Sequence, residues 1–321
     1  MELVILWIKS CNTTQHNTTQ HNTTQQHITK IIKIRGIEEI EKYIDNILKQ
    51  IKEDQKSKYH FIFCIGGSST YGVFTDEYHT YPYILNTFIN DAIQDSLKTK
   101  YIVFNLGMPG TSSDGYWQAL EKALNKINPE LVIFYTGYND IFIKSVNQVY
   151  GSFSANLFFL HQAIERYSLL IMTATEKYLI SKHNKGEIDW KKYRKLEEEF
   201  AINISNHIKK LHEKEIKVLL IPEVLIAKNF GNPLNNYEDY KEKYRNIPNI
   251  LKEIAVKNDC EYLDIQGYFD NENFKQYFVD PVHLTDAGNK VLSSLIFENS
   301  KIIKEFIKQK GGELKNAESS K

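Results

Sequence analysis

Five short apolar runs, separated by longer amphipathic stretches, dominate the pattern of hydrophobic and polar positions. The runs are near-continuously apolar rather than alternating, and they lie at 60–66, 101–107, 130–137, 216–222 and 260–265. Continuous runs of this kind are typical of parallel strands that are covered on both faces. The repeated order of strand and helix therefore predicts a three-layer α/β domain with a parallel sheet.

Three of the intervening stretches carry apolar residues at three- and four-residue steps, which predicts amphipathic helices at 37–51, 239–256 and 286–307. The segment 141–215 interrupts this rhythm because it is too long for a simple crossover. Its sequence predicts two or more helices. They form either an excursion packed on the sheet or, in the aromatic-rich first half, an overhang that supplies a pocket for an acyl or leaving group.

The ends of the chain differ in character from its middle. Residues 12–27 repeat the sequence NTTQH, are polar, and have nothing to bury, so we predict that they are disordered. The histidines of this repeat could weakly chelate a metal, but a solvated tail is the better interpretation. We therefore expect a disordered segment at 1–30, one α/β domain at 31–310 with a helical insertion at about 141–215, and a flexible tail at 311–321.

Charge and cysteine content narrow the class of protein. The 40 basic and 40 acidic side chains cancel, which argues against nucleic acid as the main partner. The three cysteines (Cys11, Cys64 and Cys260) include no CxxC pair, which argues against a disulfide framework or structural zinc, and we expect Cys64 and Cys260 to be buried and inert. The opening MELVILWI is too short for a membrane helix or signal-peptide core. The default expectation is thus a cytoplasmic protein, or an exported or anchored one if a longer apolar segment precedes it.

The loops after the strands carry the candidate chemistry, because ligands of parallel α/β sheets bind beyond the carboxyl ends of the strands. The first loop, GGSS, lacks the lysine of a P-loop and the G-x-G-x-x-G spacing of a dinucleotide site. Two interpretations stay open for it. The loop is either a glycine turn with solvated hydroxyls, or a sharp turn that exposes the Ser68 hydroxyl as a nucleophile.

The later loops supply partners for such a serine. Asp280 precedes His283 by three residues, so its carboxylate can orient the imidazole, although it could instead cap a turn. Gly107 follows the second strand and could present a backbone N–H, and Asn139 follows the third and could offer a side-chain amide. Taken singly, these two are more simply a turn glycine and an Asx-turn.

Taken together, Ser68, Gly107, Asn139 and Asp280-x-x-His283 resemble, in chain order, the SGNH (GDSL-like) hydrolases over roughly residues 58–305. The resemblance implies a flavodoxin-like α/β/α sandwich with a five-stranded parallel sheet. It also implies Ser68 as nucleophile, His283 as base and Asp280 orienting His283. The oxyanion hole would comprise the N–H groups of Ser68 and Gly107 and the Asn139 side chain. One departure is Gly67, which stands where the family often has aspartate.

These residues predict a serine esterase that needs no cofactor and no metal and acts on a small-molecule or glycan ester. Acetylated sugars, short acyl esters and lipids all fit, and no oligomeric state is implied. The same fold would also serve a polysaccharide O-acetyltransferase, in which a sugar hydroxyl replaces water. A non-catalytic binding module is a third hypothesis. The intact set of Ser68, Asp280 and His283 argues against it, because binding alone requires no positioned base.

Overall fold

A computed structural model describes residues 36–93, 99–143, 190–226, 244, 246–270 and 274–310. The expectations of a disordered N-terminal segment, a flexible C-terminal tail and an overhanging first half of the insertion concern residues outside these ranges. The predicted helices at 37–51 and 286–307 lie within them, as do the five predicted strands.

A five-stranded sheet, parallel throughout, forms the centre of the fold, with strand order β2-β1-β3-β4-β5. This is the flavodoxin-like order, and it confirms the predicted fold class. The strands are β1 (Tyr59–Gly66), β2 (Lys100–Gly107), β3 (Leu131–Thr136), β4 (Lys217–Pro222) and β5 (Glu261–Tyr262).

Helices cover both faces of the sheet. In chain order the described helices are α1 (Ile40–Leu48), α2 (Ser68–Tyr71), α3 (Tyr81–Ala92), α4 (Ser113–Leu124), α5 (Trp190–His212), α6 (Asn246–Lys257), α7 (Gln266–Phe269), α8 (Asp286–Asn299) and α9 (Lys301–Gln309). Buried side chains of α1, α4, α5 and α6 pack on one face, and those of α3, α8 and α9 pack on the other. Short 3-10 helices precede α1, β1 and α3, and a fourth follows α7.

Two separate cores explain why the strands are continuously apolar. Along β1, Phe63 and Ile65 point into the core under α1 and α4, whereas Ile62 and Cys64 point into the core under α3 and α8. Successive side chains of a strand face opposite sides, so a sheet covered on both sides needs an apolar residue at every position. Full burial of each large aliphatic or aromatic side chain contributes about 1.5–3 kcal/mol.

The C-terminal amphipathic stretch forms two helices instead of one. Ser300 leaves the helical region with φ −68° and ψ 123° and begins α9, its hydroxyl accepting the Ile303 N–H. Glu261, from β5, accepts the N–H groups of Lys301 and Ile302 at 2.5 and 3.1 Å. A carboxylate at a helix N-terminus satisfies free N–H groups and complements the helix dipole. A contact distant in sequence therefore breaks a run whose periodicity looks continuous.

Of the two cysteines that we expected to be buried, only Cys64 is buried. Cys64 is fully buried in β1, but Cys260, before β5, is only partly buried, which corrects the expectation for that residue. Desolvation raises the pKa of Cys260 to about 12, so its thiol stays protonated at neutral pH and is a weak nucleophile.

The parallel arrangement brings the carboxyl ends of four strands to one edge of the sheet. Gly66 at the end of β1 pairs with Gly107 of β2 and with Tyr135 of β3, and Thr136 pairs with Pro222 of β4. The strand order changes direction between β1 and β3, and crevices at such switch points are where open α/β sheets bind ligands. Across the described ranges, no helix combines the length and apolar character needed to cross a membrane.

Candidate active site

Ser68 begins a one-turn helix directly after β1. The turn is closed by hydrogen bonds from the Tyr71 N–H to Gly67 O (3.1 Å) and from the Gly72 N–H to Ser68 O (2.9 Å). Gly72 ends the helix with φ +75°, a conformation that favours glycine. This strand–turn–helix presents Ser68 at the carboxyl edge of the sheet, as an exposed nucleophile requires.

His283 and Asp280 lie on one tight loop before α8. The loop is closed by the Val279 N–H donating to His283 O at 2.8 Å. One oxygen of Asp280 accepts the N–H groups of Val282 and His283, and the other accepts His283 Nδ1–H at 2.6 Å. Burial by itself raises the pKa of Asp280, but the charge and hydrogen bonds of His283 with the two backbone N–H groups outweigh it, and the pKa falls below its ordinary value. Asp280 is therefore a carboxylate at neutral pH.

The structure joins this loop to Ser68. His283 Nε2 lies 2.7 Å from Ser68 Oγ, although the two residues are 215 positions apart. Because a carboxylate can only accept, Nδ1 carries the ring proton and the Nε2 lone pair accepts the Ser68 hydroxyl. Phe74 packs edge-on against the imidazole, with ring centroids 5.2 Å apart, and restricts its rotation. Ser68, His283 and Asp280 thus form one hydrogen-bonded chain.

Asn139 lies at the same edge, in a short π-helix (Asn139–Ile143) after β3. Its side chain is 2 % exposed, and Nδ2 donates one hydrogen to Thr111 O at 2.7 Å. The second hydrogen of this amide has no acceptor within the ranges that the structure describes. A Cβ built on Gly67 would lie 2.4 Å from Asn139 Nδ2, so the residue that departs from the family pattern leaves room for this amide.

The backbone N–H of Gly107 has a hydrogen-bond partner within the protein. Its N–H donates to Asn105 Oδ1 at 3.0 Å, and the Asn105 amide in turn donates to Thr70 O. A Cβ on Gly107 would lie 2.3 Å from Tyr71 N, so this glycine is required for close packing of α2 on β2. The N–H that the sequence analysis expected to face a substrate is thus engaged by Asn105, and the oxyanion role of Gly107 stays a prediction.

Gly110 is the residue of this loop that sequence reasoning missed. It has φ +74°, and no atom lies within 4 Å of a Cβ built on it. The turn around it closes through the Thr111 N–H to Met108 O at 3.2 Å, which leaves the Gly110 N–H without an acceptor among the described residues. The dipeptide Pro109-Gly110 was the available signal, since Pro-Gly is typical of a type II turn with positive φ at the glycine.

A second buried carboxylate anchors the Asn139 turn from behind. Asp140 accepts the Ser113 N–H at 3.0 Å and the Ser113 hydroxyl at 2.5 Å. Helix α5 also contacts Ser113. Asn203 Nδ2 donates to Ser113 Oγ (3.1 Å), and His207 Nε2–H donates to Ser113 O (2.7 Å). Burial lowers the pKa of His207, which keeps its ring neutral. The second half of the long insertion is thereby connected to the residue after Asn139.

Glu223 was also missed by the sequence analysis. It directly follows β4 at the same edge and is 2 % exposed. Its position after a strand was the available signal, but a single glutamate there has no motif around it. No group of three or more His, Cys, Asp or Glu residues suited to a metal ion occurs in the described part of the chain.

Comparisons with known proteins give a match to a family model and none to a curated protein. The model of the GDSL-like lipase/acylhydrolase family matches residues 64–291, a span that includes Ser68, Asn139, Asp280 and His283. A search of the curated proteins finds no significant match.

Three solved structures illustrate what the chain resembles in three dimensions. An acetyl xylan esterase (AlAXEase) is 18 % identical over 74 % of this chain and 98 % of its own, with a TM-score of 0.48. A GDSL-like lipase from Bacteroides thetaiotaomicron VPI-5482 is 17 % identical over 85 % and 99 %, with a TM-score of 0.47. A member of the lipolytic G-D-S-L family from Veillonella parvula DSM 2008 is 15 % identical over 75 % and 97 %, with a TM-score of 0.46.

Proposed function

This chain belongs to the GDSL-like lipase/acylhydrolase family, whose members are hydrolases that act on ester bonds, and we propose that it cleaves carboxylic esters through an acyl-enzyme on Ser68. The observation that carries the proposal is the hydrogen-bonded chain from Ser68 Oγ through His283 to Asp280, with distances of 2.7 and 2.6 Å. A nucleophile, a base and a group that orients the base are the parts that acyl transfer to serine requires.

In the first half-reaction, Ser68 Oγ attacks the carbonyl carbon of the ester while His283 Nε2 takes the hydroxyl proton. The buried Asp280 carboxylate stabilises the imidazolium that forms, as it also holds the Nδ1–H tautomer beforehand. The tetrahedral adduct then collapses, the bond to the alcohol oxygen breaks, and the departing alcohol takes the proton from His283. The products are a free alcohol and acyl-Ser68.

Water completes the cycle. A water molecule gives a proton to His283 Nε2 and attacks the acyl carbon, and a second tetrahedral adduct forms. Its collapse releases the carboxylic acid, and the proton on His283 returns to Ser68 Oγ. Atoms balance as ester plus water giving acid plus alcohol, without any redox step.

For the oxyanion we propose three donors: the Ser68 N–H, the second hydrogen of Asn139 Nδ2, and the Gly110 N–H in place of Gly107. The bond from Asn139 Nδ2 to Thr111 O supports this set, because it ties the amide to the residue next to Gly110. The exclusion of Gly107 from this set is supported by its N–H, which already donates to Asn105 Oδ1. Donors fixed before the reaction stabilise the developing charge without reorganising, which is commonly the largest contribution to such catalysis.

Ser68→Ala tests the proposal. We expect wild-type protein to hydrolyse p-nitrophenyl acetate and to be labelled by a fluorophosphonate, and Ser68→Ala to do neither. Ser294→Ala is the matched control, since Ser294 lies on α8 and donates to Glu298 on the same helix. Hydrolysis by Ser68→Ala at the wild-type rate would refute the acyl-enzyme. If the proposal holds, a panel of esters with varied acyl length and of acetylated glycans, assayed with the wild type and with Ser68→Ala, identifies the preferred ester.

A further inference from the structure

Glu223 is the first residue after β4, and it lies at the sheet edge that carries Ser68 and Asn139. We propose that Glu223 is a positioning residue for ester hydrolysis: its carboxylate accepts the Tyr138 N–H and thereby fixes the turn of Asn139, at the sheet edge that also carries Ser68. The inference rests on the proposed acyl-enzyme function, and it assigns a role to a residue outside the serine–histidine–aspartate chain.

Hydrogen bonds fix Glu223 on several sides. Its Oε2 accepts the N–H of Tyr138, the residue before Asn139, at 3.0 Å. Its own N–H donates to Thr136 O at 3.0 Å, and its carbonyl accepts the Tyr244 hydroxyl. The carboxylate is thus held at the start of the Asn139 turn, and losing it would leave the buried Tyr138 N–H without this partner.

Ser69 connects Glu223 to the Ser68–His283 pair. The Ser69 hydroxyl donates to Val282 O at 3.3 Å, and a hydrogen bond from Ser69 is among the causes that lower the Glu223 pKa. Ser69 follows Ser68, and Val282 precedes His283. A hydroxyl has one proton, and an ionised carboxylate attracts it more strongly than a carbonyl does. An ionised Glu223 therefore competes with Val282 O for the Ser69 proton.

The environment of Glu223 places its ionisation near neutral pH. Burial raises its pKa to about 7, to which the Asp140 charge contributes, while the bonds from Tyr138 and Ser69 and the charge of His283 act in the opposite direction. The titratable and charged groups that face this carboxyl from the surrounding elements are His283, Asp140, Tyr135, Tyr116 and Tyr244. Of these, only His283 is cationic when protonated.

The negative charge of ionised Glu223 should increase kcat. His283 must be neutral to accept the Ser68 proton, and it becomes an imidazolium in the transition state. An ionised Glu223 stabilises that imidazolium, whereas a protonated one does not. The ionisation of Glu223 therefore raises kcat as pH increases through about 7. Part of the rise of kcat with pH should follow this ionisation.

Glu223→Gln removes the charge but keeps the size and the capacity to accept the Tyr138 N–H. We expect kcat for p-nitrophenyl acetate at mildly alkaline pH to fall about tenfold with KM changed less than about twofold. The part of the rise of log kcat with pH that follows Glu223 ionisation should disappear, which a purely structural role would not produce.

Two further variants make the test specific. Ser69→Ala keeps Glu223 but removes a hydrogen bond that lowers the pKa of Glu223. The part of the pH profile of kcat that follows Glu223 ionisation should therefore move to higher pH. Glu130→Gln is the matched control. Glu130 precedes β3 at the opposite edge, where it bonds His60 and Tyr101. The pH profile of Glu130→Gln should match that of the wild type.

A folded Glu223→Gln with wild-type kcat and an unchanged pH profile would overturn the inference. If Glu223→Gln fails to fold, as judged by circular dichroism, a Ser69→Ala profile identical to that of the wild type would overturn it instead. Ser68→Ala separates the two proposals. Activity in Ser68→Ala would refute the acyl-enzyme itself, whereas an inactive Ser68→Ala beside an unchanged Glu223→Gln would refute only the role of Glu223.

Discussion

Replacing Gly67 by alanine would test how the oxyanion side of the site is built. A Cβ on Gly67 lies 2.4 Å from Asn139 Nδ2 and 3.3 Å from its Cγ. Asn139 has little room to move away, because its side chain is buried and its amide donates to Thr111 O. The extra methyl group should therefore displace the amide from its position beside Ser68.

The size of the effect follows from the distances. Relaxing the contact to an ordinary separation of about 3.5 Å requires a shift of roughly 1 Å. A misplacement of that size can lower a rate about 100-fold, and losing one oxyanion donor costs about 10²–10³ in kcat. We expect Gly67→Ala to reduce kcat about 100-fold while KM changes little.

Steady-state hydrolysis of p-nitrophenyl acetate measures this loss, with thermal unfolding to show that the variant folds. Gly267→Ala is the matched control, because no atom lies within 4 Å of a Cβ built there. The double variant Gly67→Ala/Asn139→Ala identifies the route. If the methyl group acts through Asn139, the double variant should be no slower than Asn139→Ala alone, since effects through one group do not add.

Two results would refute the reasoning. A folded Gly67→Ala with kcat within about threefold of the wild type would show that the Asn139 amide is not needed where the structure has it. A double variant much slower than Asn139→Ala would show that the methyl group acts on a different part of the site.

Asp280→Asn should lower kcat by about 10³–10⁴, because a neutral amide neither holds the Nδ1–H tautomer nor stabilises the imidazolium; wild-type kcat would contradict this. Because the native pKa of Asp280 is lowered, its ionisation stabilises the fold above about pH 4, and that contribution is lost as pH falls through the native pKa. The melting temperature of Asp280→Asn should accordingly fall less steeply in acid than that of the wild type. Phe74→Ala should reduce kcat about two- to tenfold, because the edge contact of Phe74 with His283 is lost. The kcat of Phe74→Leu should lie between those of the wild type and Phe74→Ala. Equal kcat values in all three proteins would show that Phe74 does not orient the imidazole ring.

The strands were predictable because their pattern has a direct physical cause. Parallel strands covered on both faces are apolar at every position, and four of the five predicted runs match strands to within a residue at each end. The fifth is shorter than predicted, since only Glu261 and Tyr262 pair with β4. The break at Ser300 was not predictable, because the carboxylate that caps α9 comes from β5.

The candidate site was predictable where its parts are local. The spacing of Asp280 and His283 places both on one loop, and two glycines before Ser68 indicate a sharp turn. The proposal of Gly110 over Gly107 could not come from the local sequence, since it depends on the Asn105 side chain occupying the Gly107 N–H.

By itself, the sequence determined the α/β class, the order of the strand-end loops and the residue types available for acyl transfer. These follow from periodicity and from spacing within a few residues, both of which are properties of the chain alone. Only the tertiary structure decided which N–H groups are free, why Gly67 must lack a side chain, and that Glu223 lies behind the site. Those features depend on burial and on contacts between segments as much as 215 residues apart, and no local pattern contains them.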